Sequence, residues 1–283
     1  MAEKCSHQDA SRGTVSSTAH FAAFMRSVEH ESGRKIVNDP FARDLAGEVG
    51  LNWYNKKTVE DNEYVLYLQV LFACRTKAID DAIKAALSEG KVRQVCVLGA
   101  GLDSRPWRLP GNKSIKYFEV DFPEIFAYKL PVIEKHDKES EFSYITVGAD
   151  LSLPSWVDKL RDSGFDSSLP TLWMMEGLTF YLTEDEIRTF FQSIASLSCP
   201  ESVLIADFIS TYGVNRNGHS SFSHMFRFTP DVPLDFVSQF GWCGSVETIS
   251  TLAEQYGVDF LLPEAFQEKV KGYFVVTTRN TSS

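Results

Sequence analysis

From Lys91 to the C-terminus, short apolar runs alternate with stretches of helical periodicity. The apolar runs cover residues 94–98, 115–120, 142–147, 171–175, 203–209 and 272–278. The clearest helix between them spans residues 183–197, where Thr183 and Glu186 form a capping box ahead of an apolar face. Strands and helices that alternate at this spacing predict an α/β fold with a parallel, Rossmann-like doubly wound sheet.

The first 91 residues have helical patterns only. One apolar stripe begins at Thr18, and a stronger helix is predicted over residues 63–87, in which Phe72, Ile79 and Ile83 keep the register. We predict a flexible segment over residues 1–17 and a single domain over 18–283. Within that domain, residues 18–91 form a helical cover and 92–283 form the core, with a substrate-loop insertion near 210–230.

Composition excludes several classes of protein. Lys and Arg number 28 against 38 Asp and Glu, and this net charge of −10 without a basic cluster argues against nucleic-acid binding. No uncharged apolar run approaches the roughly 20 residues that span a bilayer, so no membrane segment is expected. The five cysteines are scattered without metal-ligand spacing, which indicates reduced thiols in a cytoplasmic protein and no metal site.

A glycine-containing turn follows the first predicted strand. Gly99, Ala100 and Gly101 supply the first part of a nucleotide-binding fingerprint, because glycines let the backbone approach a ligand closely. Ser104 stands where the third glycine of a dinucleotide site belongs, which weakens an NAD interpretation. A tight turn without any ligand remains the alternative.

Acidic residues follow the next three strands. Asp121 lies 22 residues after Gly99, the spacing at which a carboxylate accepts both ribose hydroxyls of a nucleoside. Glu119 shares its strand face, so either acid could serve. Asp150 and Glu176 end the third and fourth strands, although Asp150 could instead cap the short helix that follows. Each of these acids, considered alone, could be a solvated charge at the end of a strand. Because all of them are expected at the same edge of the sheet, they predict a nucleoside-containing cofactor.

Arg75 lies on the apolar face of the second predicted helix. Arginine is seldom buried without a partner, so three interpretations stay open. The side chain could reach the surface, pair with an internal acid such as Asp80 or Asp81, or hold a ligand carboxylate through its bidentate fork.

These motifs together resemble the leucine carboxyl methyltransferase family, a branch of the class I S-adenosylmethionine-dependent methyltransferases. The resemblance runs from about Thr18 to Tyr273. It is carried by residues 38–42 (NDPFA), 75–76 (RT), 79–81 (IDD), 98–105 (LGAGLDSR), 118–123 (FEVDFP), 150–151 (DL), 176–178 (EGL) and 181–182 (YL).

The resemblance implies seven strands, the last one antiparallel, with the helical cover over the cofactor S-adenosyl-L-methionine. It further implies that Arg75 grips the methionine carboxylate, and that the turn of Gly99, Ala100 and Gly101 passes close to the methionine and ribose. Asp121 would take the ribose hydroxyls. The resemblance also places Asp150 and Leu151 beside the adenine and Glu176 at the methionine end.

The sequence constrains the methyl acceptor less than it constrains the cofactor. A carboxylate is ionised at pH 7 and needs no base, whereas a phenol or alcohol does. We take Tyr181, His224 and Arg227 as candidate catalytic residues, although the segment that holds the last two could be a surface loop without a role. Further candidates in that segment are Tyr212, Asn215, Arg216 and His219.

Our first hypothesis is an O-methyltransferase that acts on a carboxyl or hydroxyl group of a small-molecule acceptor and releases S-adenosyl-L-homocysteine. A carboxylate acceptor is preferred. The alternatives are methylation of the C-terminal leucine carboxylate of protein phosphatase 2A, a non-catalytic protein that binds S-adenosylmethionine, and an NAD dehydrogenase. No oligomeric state is predicted.

Overall fold

A seven-stranded mixed sheet forms the centre of the computed structural model, which describes residues 2–34, 36–211, 225–258, 266 and 269–280. The strands are β1 Gln94–Leu98, β2 Lys116–Asp121, β3 Ser143–Gly148, β4 Thr171–Met175, β5 Val203–Ile209, β6 Trp242–Thr248 and β7 Tyr273–Asn280. Their order is β3-β2-β1-β4-β5-β7-β6; β1 to β5 are parallel, and β7 is antiparallel to both neighbours. The predicted α/β fold with seven strands and an antiparallel last strand is therefore confirmed.

Helices cover both faces of the sheet. They are α1 Ala2–Glu31, α2 Ala42–Glu60, α3 Asn62–Ser88, α4 Arg105–Arg108, α5 Pro123–Glu134, α6 Trp156–Asp162, α7 Glu184–Ser196, α8 Pro233–Ser238 and α9 Ile249–Gln255. Short 3-10 helices span Thr179–Tyr181 and Lys269–Gly272. None of the helices within these described ranges combines the length and apolar character needed to cross a bilayer.

The helical cover consists of α1, α2 and α3. The helix predicted over residues 63–87 is α3, which begins after Asp61, whose side chain accepts a hydrogen bond from the Tyr64 amide at 2.9 Å. Helix α1 begins at Ala2, within residues 1–17, for which the sequence predicts a disordered or flexible segment; that flexibility stays a prediction. The boundary between cover and core stays a prediction.

The capping box predicted at Thr183 is present in α7. The Glu186 amide donates to Thr183 Oγ1 at 3.3 Å, and the Thr183 amide donates to Glu186 Oε2 at 2.7 Å. The apolar face of α7 then buries Ile187, Phe191 and Ile194 against the sheet. Because α3 packs on the opposite face, the carboxyl ends of the parallel strands remain as the edge at which a ligand can enter.

Candidate active site

A cavity of about 380 Å³ lies at the carboxyl ends of the parallel strands, between the sheet and helices α1 and α3. This volume is near the lower end of the usual range for small-molecule sites. All eight predicted cofactor residues line it: Arg75, Gly99, Ala100, Gly101, Asp121, Asp150, Leu151 and Glu176. The fold thus brings them to one place, while the role of each stays a prediction.

Of the three candidate catalytic residues, Tyr181 and Arg227 also line this cavity. His224 lies outside the described residues. The same holds for the further candidates Tyr212, Asn215, Arg216 and His219.

The glycine turn after β1 requires backbone conformations that favour glycine. Gly99 has φ of 71° and Gly101 has φ of 49°, both in the left-handed region. A Cβ on Gly99 would lie 3.2 Å from the side chain of Leu178, so the turn is also tightly packed. A larger residue at Gly99 would therefore be strained in its backbone and crowded by Leu178, and the turn borders the cavity.

Asp121 is fixed by this turn. Its Oδ2 accepts a hydrogen bond from the Gly101 amide at 2.6 Å, and its Oδ1 accepts one from the Phe122 amide at 2.7 Å. Burial raises the pKa of this carboxyl, and the two backbone donors counteract the shift. Because each carboxylate oxygen can accept more than one hydrogen bond, Asp121 still has acceptor capacity towards the cavity.

Glu119 does not take part in the cavity. Lys129 of α5 donates from Nζ to both carboxylate oxygens at 2.8 and 2.6 Å, and the Tyr144 hydroxyl donates at 2.6 Å. Glu119 and Lys129 are fully buried. The expectation that either acid could serve is thus wrong for Glu119: it lies two residues deeper in the strand, under α5, where it forms a structural ion pair.

Asp150 shapes the turn after β3. Its Oδ1 accepts hydrogen bonds from the Ser152 amide at 3.0 Å and from the Ser152 hydroxyl at 2.6 Å. The residue at the N-cap of α6 is Ser155, and its side chain makes no capping hydrogen bond. Asp150 therefore does not cap that helix, and with Leu151 it borders the cavity.

Arg75 is buried and held on three sides. Its Nε donates to Glu176 Oε1 at 2.9 Å, and its Nη1 donates to the Tyr273 hydroxyl at 2.9 Å and to Asp207 Oδ2 at 3.2 Å. The Tyr273 hydroxyl in turn donates to Asp207. Among the residues that the structure describes, Arg75 Nη2 donates to no protein group, although the side chain lines the cavity. This nitrogen is available for a ligand.

These contacts decide among the three interpretations of Arg75. A side chain that is 5% exposed does not reach the surface. Pairing with Asp80 or Asp81 is also wrong, since Asp80 accepts from Arg105 and Arg108, and Asp81 pairs with Lys77. The internal partners are Glu176 and Asp207 instead, and they leave one nitrogen rather than a complete bidentate fork for a ligand.

Glu176 is held from its other side by Arg105. Arg105 donates from Nη1 to Glu176 Oε2 at 2.6 Å and to Asp103 Oδ1 at 3.2 Å, and from Nε to Asp80 Oδ1 at 2.7 Å. Burial alone would raise the pKa of Glu176, but the two arginines outweigh it and lower the pKa to about 2. The wall of the cavity therefore carries a permanent carboxylate at neutral pH.

The ion pairs continue into the helical cover. Arg26 of α1 donates from Nε to Asp39 Oδ2 at 2.8 Å and from Nη2 to the carbonyl oxygen of Leu102 at 2.7 Å. Arg108 joins the two acids, since it contacts Asp39 at 3.8 Å and donates to Asp80 at 2.8 Å. A chain of buried charges thus connects α1 to the glycine turn and to Glu176.

Tyr181 and Arg227 line the cavity in addition to the eight predicted cofactor residues. Burial raises the pKa of Tyr181 to about 12 despite a hydrogen bond with Thr18, so its hydroxyl is protonated at neutral pH. Arg227 is 53% exposed, with its Nη1 3.4 Å from Glu186 Oε2. Tyr181 is thus suited to donate a hydrogen bond rather than to act as a base, and Arg227 places a cation at the rim.

The sequence analysis gives no role to Asp207 or Tyr273, and it includes Arg105 only as the last residue of the motif 98–105. Asp207 had a detectable signal, because it is an acid within the otherwise apolar run of residues 203–209 and such an acid needs a partner. Tyr273 had none, since tyrosine is common in strands.

The sequence of the chain matches one protein family over residues 19–195. The model of that family is described as leucine carboxyl methyltransferase. The chain belongs to the leucine carboxyl methyltransferase family. The expectation of a methyltransferase is thereby confirmed.

Two bacterial relatives of the chain are named as candidate S-adenosyl-L-methionine-dependent methyltransferases. One, from Streptomyces avermitilis, is 30% identical over 94% of this chain and 96% of its own length. The other, from Streptomyces coelicolor, is 31% identical over 86% of this chain and 88% of its own length.

Solved structures share the fold. A protein of the duf574 family from Streptomyces avermitilis aligns with a TM-score of 0.57 at 12% identity, over 91% of this chain and 96% of that one. A candidate methyltransferase from Thermobifida fusca aligns with a TM-score of 0.55 at 16% identity, over 87% and 90%. At these identities the likeness shows the fold alone.

In this member of the leucine carboxyl methyltransferase family, the described residues contain no group of three or more His, Cys, Asp or Glu side chains placed to hold a metal ion. The acids at the cavity instead pair with arginines or accept backbone hydrogen bonds. The site is therefore organised around buried ion pairs.

Proposed function

We propose that this protein is an S-adenosyl-L-methionine-dependent O-methyltransferase that acts on the carboxylate of a small-molecule acceptor. The observation that carries the proposal is Arg75, fixed by Glu176, Asp207 and Tyr273 at the cavity with Nη2 left to donate. A buried cation with one available nitrogen, beside a permanent carboxylate, matches the two opposite charges of an amino-acid end group.

The cofactor would lie along the strand ends. Arg75 would donate to the methionine carboxylate, and Glu176 would accept from the ammonium group or lie near the positive sulfur. Asp121 would accept from the ribose hydroxyls, while the turn of Gly99, Ala100 and Gly101 leaves room for the chain between them. Asp150 and Leu151 would border the adenine. When bound, the cofactor supplies a methyl group on a sulfonium, ready for in-line displacement.

The chemistry of the described cavity supports a carboxylate acceptor. Tyr181 has a pKa of about 12 and is a poor base at neutral pH, and the pKa of Glu186 is lowered. A carboxylate needs only to be oriented, because it is already ionised. Tyr181 as a donor and Arg227 as a cation at the rim fit that requirement better than they fit deprotonation of an alcohol.

The proposal is tested with S-adenosylmethionine labelled in its methyl group and a panel of small carboxylic acids, phenols and alcohols, together with a peptide that ends in leucine. Transfer to a carboxylate gives an ester, which releases labelled methanol in mild alkali, whereas transfer to a hydroxyl gives an alkali-stable ether. Alkali-labile product supports the proposal. Alkali-stable product alone would assign a hydroxyl acceptor instead, and label in a peptide C-terminus would assign a protein substrate.

A further inference from the structure

The cavity has an apolar part, formed by aromatic and aliphatic side chains. Its walls include Tyr67, Leu68, Leu71 and Phe72 of α3 and, on the other side, Phe180 and Phe226. We call these six residues the acceptor compartment. The rings of Phe180 and Phe226 meet edge-to-face at 4.9 Å, and Tyr67 stacks on Phe266 at 5.2 Å. Walls of this kind favour aromatic or aliphatic ligands, since rings pack well against rings.

The compartment has a defined direction relative to Arg75. Tyr67, Leu71 and Arg75 succeed one another at intervals of four residues and so lie on one face of α3. With a rise of about 1.5 Å per residue, Tyr67 lies roughly 12 Å along the helix axis from Arg75. An acceptor whose reacting group lies near the methionine end would therefore extend along an apolar wall towards Tyr67.

The hydroxyl of Tyr67 is a polar group at the far end of this wall. The Tyr67 side chain is 4% exposed and lines the cavity, yet within the described part of the chain its hydroxyl forms no hydrogen bond. This hydroxyl is not among the fully buried atoms that lack a partner, so it can be reached from the cavity, and a ligand oxygen can accept a hydrogen bond from it. Burial raises the pKa of Tyr67, and the hydroxyl is a neutral donor.

We infer that the acceptor is a ring-bearing, mostly apolar carboxylic acid with a second oxygen at the end remote from its carboxylate, and that Tyr67 donates a hydrogen bond to this oxygen. The inference rests on the proposed function. To the proposed function it adds the shape of the acceptor and one residue, Tyr67, that would determine which acceptor binds. Tyr67 is a specificity-determining residue here, remote from the reacting atoms.

The test uses the full chain saturated with S-adenosylhomocysteine and three acids of equal charge: lactic acid, 2-naphthoic acid and 6-hydroxy-2-naphthoic acid. Calorimetric titration should show 2-naphthoate binding at least about tenfold more tightly than lactate, because it buries apolar rings. The hydroxylated acid should bind a further 2- to 12-fold more tightly, the usual range for one hydrogen bond.

The substitution Tyr67→Phe isolates the hydroxyl. In that variant the two naphthoates should bind equally, while the affinity for S-adenosylhomocysteine is unchanged. Tyr128→Phe is the matched control, since Tyr128 lies on the surface away from the cavity, and the difference between the naphthoates should persist in it.

Two results would overturn the inference while the proposed function stands: ring acids that bind no better than lactate, or an advantage of the hydroxylated acid that survives in Tyr67→Phe. If S-adenosylhomocysteine itself does not bind, the proposed function fails, and the inference fails with it.

Discussion

Arg75 on α3 and Glu176 after β4 form a buried ion pair, with Arg75 Nε donating to Glu176 Oε1 at 2.9 Å across 101 residues of sequence. The pair joins the helical cover to the strand ends and forms one wall of the cavity. Because Glu176 is also bound by Arg105, both its carboxylate oxygens are engaged by cations. The geometry of the proposed methionine site is therefore set before a ligand arrives.

Replacement of Arg75 tests the carboxylate grip. Arg75→Ala should weaken the binding of S-adenosylmethionine by roughly 1.5–3 kcal/mol, because a charge-assisted hydrogen bond is lost. Calorimetric titration measures this, with Arg188→Ala as the control, since Arg188 pairs with Glu184 on the exposed surface of α7. An unchanged affinity in Arg75→Ala would show that the assignment is wrong. Denaturant unfolding of both variants separates the loss of binding from a loss of fold.

Asp121→Asn tests the ribose contact. The single amide oxygen of asparagine can accept from the Gly101 or the Phe122 amide but not from both, and the charge that favours the ribose hydroxyls is removed. We expect affinity for S-adenosylmethionine to fall by roughly 1.5–3 kcal/mol, as for other hydrogen bonds to charged groups. Methionine, which has no ribose, should bind the wild type and Asp121→Asn with equal affinity. If Asp121→Asn loses the same affinity for methionine as for S-adenosylmethionine, Asp121 has no specific role at the ribose.

Tyr273→Phe tests whether the last strand positions Arg75. The hydroxyl accepts from Arg75 and donates to Asp207, so its removal frees the guanidinium to move. We expect a rise in the KM for S-adenosylmethionine with little change in kcat, and a stability loss of about 1 kcal/mol. Stability loss without a change in KM would mean that Tyr273 is only part of the core.

The pH dependence of unfolding tests the ion pairs of Glu176. Its pKa is lowered to about 2 in the folded protein, below the value near 4.5 of a free side chain. A lowered pKa contributes stability that is complete above pH 4.5 and is lost as the pH falls towards 2. The difference corresponds to about 3 kcal/mol. In urea unfolding, the difference in the free energy of unfolding between the wild type and Glu176→Gln should therefore shrink as the pH is lowered from 6 to 3. A difference that stays constant over this range would contradict the prediction.

The sheet was predictable where its strands are apolar on both faces. Strands β1, β4 and β5 are buried along their whole length, so they stand out as continuous apolar runs. Strand β6 lies at the sheet edge with four consecutive exposed residues, Cys243 to Val246, and carries no such signal. Helix α2 was missed for the same reason, because many of its residues are polar and exposed.

The site was predictable to the extent that its residues follow strands. Asp121, Asp150 and Glu176 reach one cavity because parallel strands end at one edge. The partners of Arg75 were not predictable from position: Asp207 and Tyr273 lie 132 and 198 residues away and meet it only through the pairing of β5 with β7. Glu119 could not be assigned from the alternation of strand faces. It shares a face with Asp121, but helix α5 covers it and supplies its partner Lys129.

The most direct test of the central claim is parallel calorimetric titration of the full chain with S-adenosylmethionine, S-adenosylhomocysteine and NAD. The arrangement of Arg75, Asp121 and Glu176 predicts binding of the first two and none of NAD. Binding of NAD alone would favour a dehydrogenase. Binding of none of the three would mean that these charges serve the fold and that the cavity is not a cofactor site.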